Sequence, residues 1–165
     1  MDKRRAIQIM TKAAEIYRDN LEDQKGLLFY GLPSDVKKQL QTEGKIFEMI
    51  DAIGMKNQDR ALELYYDLLA VREKPMSILF LLIRHFNILI QLKELVHAQI
   101  PNGQIASNVG IPPFAVKKYV AQTKNFKVRE IRTCLEQCVE VEQQVKTGLL
   151  LDQIGVELLI VQFSK

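Results

Sequence analysis

Apolar residues recur every three to four positions along much of the chain, the spacing that places them on one face of an α-helix. The first such stripe follows Asp2, a suitable helix cap, and predicts a helix over Lys3–Leu21. Over residues 23–44 the periodicity fails, and glycine and proline interrupt the segment. We interpret it as a linker with one short helix, Asp35–Gln41, capped by Ser34.

The next two helices have recognisable ends. Thr42 is placed to cap a helix over Ile46–Ile53, which Gly54 ends in the manner of a left-handed C-terminal residue. Asn57 is placed to cap Ala61–Arg72, where apolar side chains again share one face. Both segments therefore predict helices with one buried face.

The segment Met76–Val96 is the most apolar part of the chain. Apolar residues fill 14 of its 21 positions and fall on all sides, as in a helix surrounded by others. Its longest unbroken apolar run, Ile78–Ile83, ends at Arg84 and His85 and is well short of a membrane span. We predict that this helix is the centre of the core and that no membrane is involved.

The C-terminal third predicts four more helices, and the fold class is all-α. Asn102 is placed to cap the first and Gly110 to end it, and Pro112 and Pro113 open the second. Since no stretch alternates polar and apolar residues for long enough to make a strand, we predict a compact bundle of about seven to eight helices. The four segments are Gly103–Val109, Pro112–Gln122, Val128–Lys146 and Asp152–Phe163.

Composition excludes several classes of protein without identifying one. The 165 residues are 47% hydrophobic and 26% charged, which is globular usage, and a net charge of +3 neither requires nor excludes a nucleic-acid partner. Cys134 and Cys138 lie one helical turn apart and make no disulfide scaffold. With no export signal after Met1, we expect a reducing, cytoplasmic compartment.

Residues for catalysis or cofactor binding do not form a recognisable motif. The glycines lack phosphate-loop spacing, and we expect no cofactor. The thiols of Cys134 and Cys138 are expected to be small core residues rather than metal ligands, because only His85 and His97 are available to complete a zinc site. Neither histidine has a nucleophile motif to pair with, so both are expected to pack or cap, and we predict that the chain is not an enzyme.

The sharpest local signal is a helix-turn-helix-like pair over Gln104–Val120, QIASNVGIPPFAVKKYV. Ile105 and Ala106 would pack the first helix, with Gly110 in the turn, and two valines would pack the second. A basic cluster follows, with Glu130 as the one acidic residue between Pro112 and Arg132. The candidate nucleic-acid contacts are therefore Lys117, Lys118, Lys124, Lys127, Arg129 and Arg132.

Two observations weaken a DNA-reading interpretation of residues 104–132. The first turn of the second helix presents Pro112, Pro113, Phe114 and Ala115, which cannot read base edges. The same geometry is also a general way to pack two short helices. DNA binding through this pair remains the alternative function. The other interpretation of the basic cluster is an ordinary solvated helix face.

Four segments of the chain carry a further signal when they are taken together: Thr42–Gly54 (TEGKIFEMIDAIG), Ala61–Phe86 (ALELYYDLLAVREKPMSILFLLIRHF), Gln104–Phe126 (QIASNVGIPPFAVKKYVAQTKNF) and Val139–Gly148. In this order and spacing, they resemble the C-terminal part of the bacterial DNA polymerase III delta subunit. That family implies a collar-like helical domain that packs beside other clamp-loader subunits in DNA replication, without ATP hydrolysis of its own. The holoenzyme, rather than this part, is the DNA-directed nucleotidyltransferase.

The resemblance divides the chain into two parts. Residues 42–165 correspond to the collar domain, whereas residues 1–41 match no segment of the family, which leaves a fragment boundary, a frame-shifted remnant and a foreign extension as open origins. In the family, the sliding clamp is gripped by an N-terminal nucleotide-fold domain. The expected partners are therefore other clamp-loader subunits, with DNA reached through the assembled complex and no clamp contact from this chain.

Overall fold

The computed structural model of the chain describes Arg4 and residues 34–165, and this part contains helices and no strands. The predicted helix Lys3–Leu21 and most of the predicted linker lie outside the described residues. A short 3-10 helix, Pro113–Ala115, precedes α5. The seven α-helices are α1 (Ser34–Gly54), α2 (Gln58–Ala70), α3 (Pro75–His97), α4 (Asn102–Val109), α5 (Val116–Thr123), α6 (Val128–Lys146) and α7 (Asp152–Phe163).

Helix α1 corrects the prediction of two separate helices around residue 42. The chain is helical without interruption from Ser34 to Gly54, and the predicted cap Thr42 is a buried residue inside it. Its hydroxyl donates a hydrogen bond to the Glu73 carboxylate at 3.2 Å. Gly44 is exposed and did not break the helix, because a glycine costs a helix only about 1 kcal/mol, which packing of the apolar face offsets. The proposed division between residues 41 and 42 therefore falls within one helix.

Helix α3 is the centre of the bundle, as predicted. It contacts α1, α4, α5, α6 and α7, and both Leu82 and Leu89 are completely buried. The main core gathers side chains from α1, α2, α3, α6 and α7 around it. A smaller core under the C-terminal half of α3 joins Ile88 and Leu92 to α4 and α5.

The apolar length of α3 needs a correction to the sequence prediction. By length and composition α3 could cross a membrane, and it is the one helix among the described residues that meets this test. The interruption by Arg84 and His85 is too slight to lower its mean hydropathy below that of a span. Eight of its side chains are buried against other helices, so core packing accounts for its composition.

The predicted helix ends agree with the structure at most places. The Asn57 side chain accepts a hydrogen bond from the Arg60 amide at 3.2 Å, and Gly110 ends α4 in the left-handed conformation with φ of 72°. The predicted cap of α4 is wrong by one residue, since Pro101 occupies that position and Asn102 is already helical. The turn geometry places α4 and α5 side by side on α3.

Candidate interaction surfaces

The helix-turn-helix-like pair packs as the sequence predicts. Ile105, Ala106 and Val116 are buried and Val120 is partly buried against the same small core. After the turn, however, the exposed aromatic ring of Phe114 and the pyrrolidine ring of Pro113 occupy the position from which base edges would be read. The pair is a packing unit on α3 whose leading turn carries no side-chain hydrogen-bond donor.

The six predicted basic residues have different local surroundings. Lys118 turns back over the ring of Phe47, with its Nζ 3.9 Å from the ring centroid, a cation-π contact. Lys127 and Arg129 line a groove against the end of α7. Lys124 and Arg132 line another groove against the end of α3, whereas Lys117 is exposed and lines neither.

The second of these grooves, named here the α3–α6 groove, encloses about 590 Å³ between the end of α3, the end of α5 and the start of α6. Three valines and three cations dominate its lining. Glu94 and His97 also line it, and the latter is an exposed residue of the last turn of α3. The valines are Val96, Val120 and Val128, and the cations are Lys93, Lys124 and Arg132.

A buried polar network that was not predicted from the sequence joins α1, α3 and α5. His85 Nε2 lies 2.5 Å from Gln122 Oε1, and the Gln122 amide donates to the Phe47 carbonyl and to Asp51 Oδ1, both at 3.1 Å. Since Gln122 uses its amide N–H groups in this way, its oxygen accepts from a protonated Nε2. The His85 ring also stacks on Tyr119 with centroids 4.9 Å apart.

Burial holds His85 in its neutral form. Removal from water lowers the pKa of His85 to about 4, although the hydrogen bond with Gln122 acts in the opposite direction. The predicted packing role of this histidine is therefore confirmed. A neutral, enclosed imidazole that lines neither groove acts as part of the core rather than as a general base.

The cysteines are small core residues, as predicted. Cys134 and Cys138 are both buried free thiols, and burial raises the pKa of each to about 12. A thiol with such a pKa is a poor nucleophile and a poor metal ligand at neutral pH. Within residues 34–165, no group of three or more histidine, cysteine or acidic side chains is placed to hold a metal ion.

Helix α7 presents an apolar surface that the rest of the described chain leaves open. Its inner face is buried through Val156, Leu159, Ile160 and Phe163. On the opposite side Leu151, Ile154 and Leu158, named here the α7 outer face, are 69%, 46% and 55% exposed. The sequence predicts the helix but does not separate these two faces, because apolar residues occur all round it.

The α7 outer face has a polar border on one side. The Tyr66 hydroxyl of α2 donates a hydrogen bond to Glu157 at 2.7 Å, which fixes the carboxylate beside the apolar residues. This bond is the main cause of a raised pKa for Tyr66. Exposed apolar side chains with a polar border are typical of surfaces that bind other proteins.

The described residues thus form an all-helical bundle with one open apolar face on α7. The family model for the C-terminal domain of the DNA polymerase III delta subunit matches residues 43–163, and the chain therefore belongs to this family. This match covers the four resembling segments except for Thr42, and it ends two residues before the C-terminus. It gives no support to the alternative of a helix-turn-helix DNA-binding protein.

One curated protein and one solved structure are similar to this chain. The DNA polymerase III subunit delta of Bacillus subtilis (strain 168) is 33% identical over 123 residues, which are 74% of this chain and 35% of that protein. The chain thus spans about a third of the length of this relative. The solved Bacillus subtilis DNA clamp loader delta protein shares the fold, with a TM-score of 0.74, 24% identity, and coverage of 99% of this chain and 57% of the other.

Proposed function

We propose that the chain is a non-catalytic assembly domain, which packs against other clamp-loader subunits as part of a collar and so supports placement of the sliding clamp during DNA replication. The α7 outer face carries this proposal. Membership of the delta-subunit family supplies the kind of partner, and the open apolar face supplies a surface for it. Any contact with DNA comes through the assembled complex.

The chemistry of the α7 outer face suits a protein partner. Leu151, Ile154 and Leu158 gain about 25 cal/mol for each Å² of apolar surface that a neighbouring subunit removes from water. Exposed Leu149, in the turn before α7, extends the apolar surface, and Glu157 offers a charged contact at its edge. A central apolar patch with a polar rim is the usual anatomy of such an interface.

The absence of catalysis is supported by the state of the reactive groups in the described region. Both thiols are buried with high pKa values, and His85 is buried and neutral. The sequence also lacks phosphate-loop spacing. A bacterial cytoplasm, where free thiols such as those of Cys134 and Cys138 persist, suits this role.

The test is co-migration on size-exclusion chromatography with the remaining clamp-loader subunits of the same organism. We expect the wild-type chain to join them and the variant Ile154→Asp/Leu158→Asp to elute alone, because two carboxylates cannot be buried at an apolar interface without a partner. Met55→Asp, at an exposed residue of the turn after α1, is the matched control and should still join.

Circular dichroism melting of all three proteins separates lost binding from lost folding. A folded double variant that still joins the other subunits would contradict the role of the α7 outer face. A wild-type chain that fails to join any subunit at micromolar concentration, or that co-migrates with the sliding clamp alone, would contradict the assembly function itself.

A further inference from the structure

The α3–α6 groove carries apolar side chains at a place where helices begin and end. Val96 is 44% exposed in the last turn of α3, and Val128 is 37% exposed in the first turn of α6. Val120 of α5 lies between them, half-buried. A cavity of about 590 Å³ is within the range of ligand pockets and large enough for one or two apolar side chains.

The charge along this groove is positive. Lys93, Lys124 and Arg132 line it against one carboxylate, Glu94, and no described residue forms an ion pair with any of the three cations. Several other cations of the described region lie within 4 Å of a carboxylate. These pairs include Lys45 with Asp67, Arg60 with Glu63, Arg84 with Glu43, and Lys146 with Glu142.

The helix ends at this groove contribute partial charges of opposite sign. The start of α6 contributes the positive end of its dipole, and the end of α3 contributes a negative one. The two effects offset each other, so the side-chain charges decide the sign.

The lining favours a peptide over a nucleic acid. Among the described residues, no phenylalanine, tyrosine or tryptophan lines the groove, although stacking on such rings is the main apolar contact of single-stranded nucleic acids. The basic residues that would follow a phosphate backbone are divided between two grooves and the ring of Phe47. The groove lining, with valine side chains between cations, is instead complementary to a peptide in which apolar and acidic residues alternate.

We propose that the α3–α6 groove binds an acidic peptide segment of a partner protein, with apolar side chains of the peptide on Val96, Val120 and Val128 and its carboxylates on Lys93, Lys124 and Arg132. The residues of this site are not those of the α7 outer face. The site is therefore independent of the proposed assembly surface and gives the domain a second class of partner.

The experiment measures fluorescence polarisation of a short labelled peptide in which leucine and phenylalanine alternate with aspartate and glutamate. We expect saturable binding to the full chain that weakens as salt is added, because exposed charges are screened. Lys124→Glu and Arg132→Glu should each weaken it by about tenfold or more, since each replaces attraction by repulsion. Val96→Ser should weaken it as well, through loss of apolar contact.

Lys117→Glu is the matched control for charge. It changes the net charge by the same amount at an exposed residue of α5 that does not line the groove, and it should leave the affinity within about twofold. Val139→Ser, at an exposed valine of α6 outside the groove, is the corresponding control for Val96→Ser. An equal effect of Lys117→Glu would identify a general charge effect and overturn the proposal.

Two further probes complete the test. A peptide with asparagine and glutamine in place of the acids should bind at least tenfold more weakly, because its carboxylates are gone. A labelled single-stranded DNA of the same net charge should bind no better than this neutral peptide. Tighter binding of the DNA than of the acidic peptide, with sensitivity to Lys124→Glu, would assign the groove to nucleic acid and overturn the proposal, as would no binding of the acidic peptide.

Discussion

Helices α3 and α7 have a similar apolar sequence but different surroundings. In α3 the apolar side chains meet five neighbouring helices, and the central residues Leu82 and Leu89 have no contact with water. In α7 one side is equally well buried, but Leu151, Ile154 and Leu158 remain exposed. An apolar helix can therefore be enclosed by the core, as α3 is, or keep one apolar side exposed, as α7 does, and the proposed function assigns that exposed side to a partner subunit.

The largest difference between the two helices is expected from truncation of leucines. Leu82→Ala or Leu89→Ala should lower the free energy of unfolding by about 2–5 kcal/mol, because each leaves a cavity in the core. Leu158→Ala, on the α7 outer face, is the control and should change it by less than about 0.5 kcal/mol. Urea unfolding of the three variants measures these changes in the free energy of unfolding. Equal losses in all three would contradict the difference in burial between α3 and the α7 outer face.

A second prediction uses the titration of His85 on α3. Its pKa of about 4 in the folded chain is below the unfolded value of 6.5, so the unfolded chain takes up the proton first. This contribution to stability is complete above pH 6.5 and declines as the pH falls to 4, with a total loss approaching about 3 kcal/mol.

Urea unfolding from pH 7.5 to pH 4.5 measures that loss, with His85→Gln as the reference. Subtraction of the variant removes the contribution of all other titrating groups, which the two proteins share. We expect the stability of the wild-type chain to fall more steeply with acid than that of the variant. Parallel pH profiles would show that His85 is protonated as easily in the folded state as in the unfolded one.

A third prediction concerns the inner side of α7. A Cβ added at Gly155 would lie 2.9 Å from Leu150 Cδ2 and from Val141 Cγ1 of α6. Gly155→Val should therefore destabilise the fold by about 1–3 kcal/mol through overpacking. Gly44→Ala, where nothing lies within 4 Å of the added carbon, should instead stabilise α1 by about 0.5–1 kcal/mol. Melting temperatures of the two variants that shift in the same direction would contradict the close packing at Gly155 and the open space at Gly44.

The smallest effect on stability is expected on the α7 outer face. Ile154→Ser and Leu158→Ser together should change the free energy of unfolding by less than about 1 kcal/mol, because both side chains are already in contact with water. The same variant should lose association with other clamp-loader subunits. A large loss of stability would mean that this face belongs to the fold of the isolated chain.

The sequence by itself determined the all-α class, most helix bounds and the central place of α3. These features depend on local signals, since the spacing of apolar residues, Asn57 as a cap and Gly110 as a stop act within a few residues. The family resemblance from Thr42 onward also rested on the sequence and agrees with the match over residues 43–163.

Tertiary packing decided the structure at two kinds of position. At some it overrode a local signal, and at others the local sequence did not specify which side of a helix is buried. Thr42 has the chemistry of a helix cap, but packing of α1 on α2 and α3 made it a buried residue bonded to Glu73. The six basic residues are close in sequence, yet the turn between α5 and α6 sends Lys124 and Lys127 to different grooves. In α7 the apolar residues fall on all sides, so the positions of α2, α3 and α6 decide which side is buried and which stays exposed.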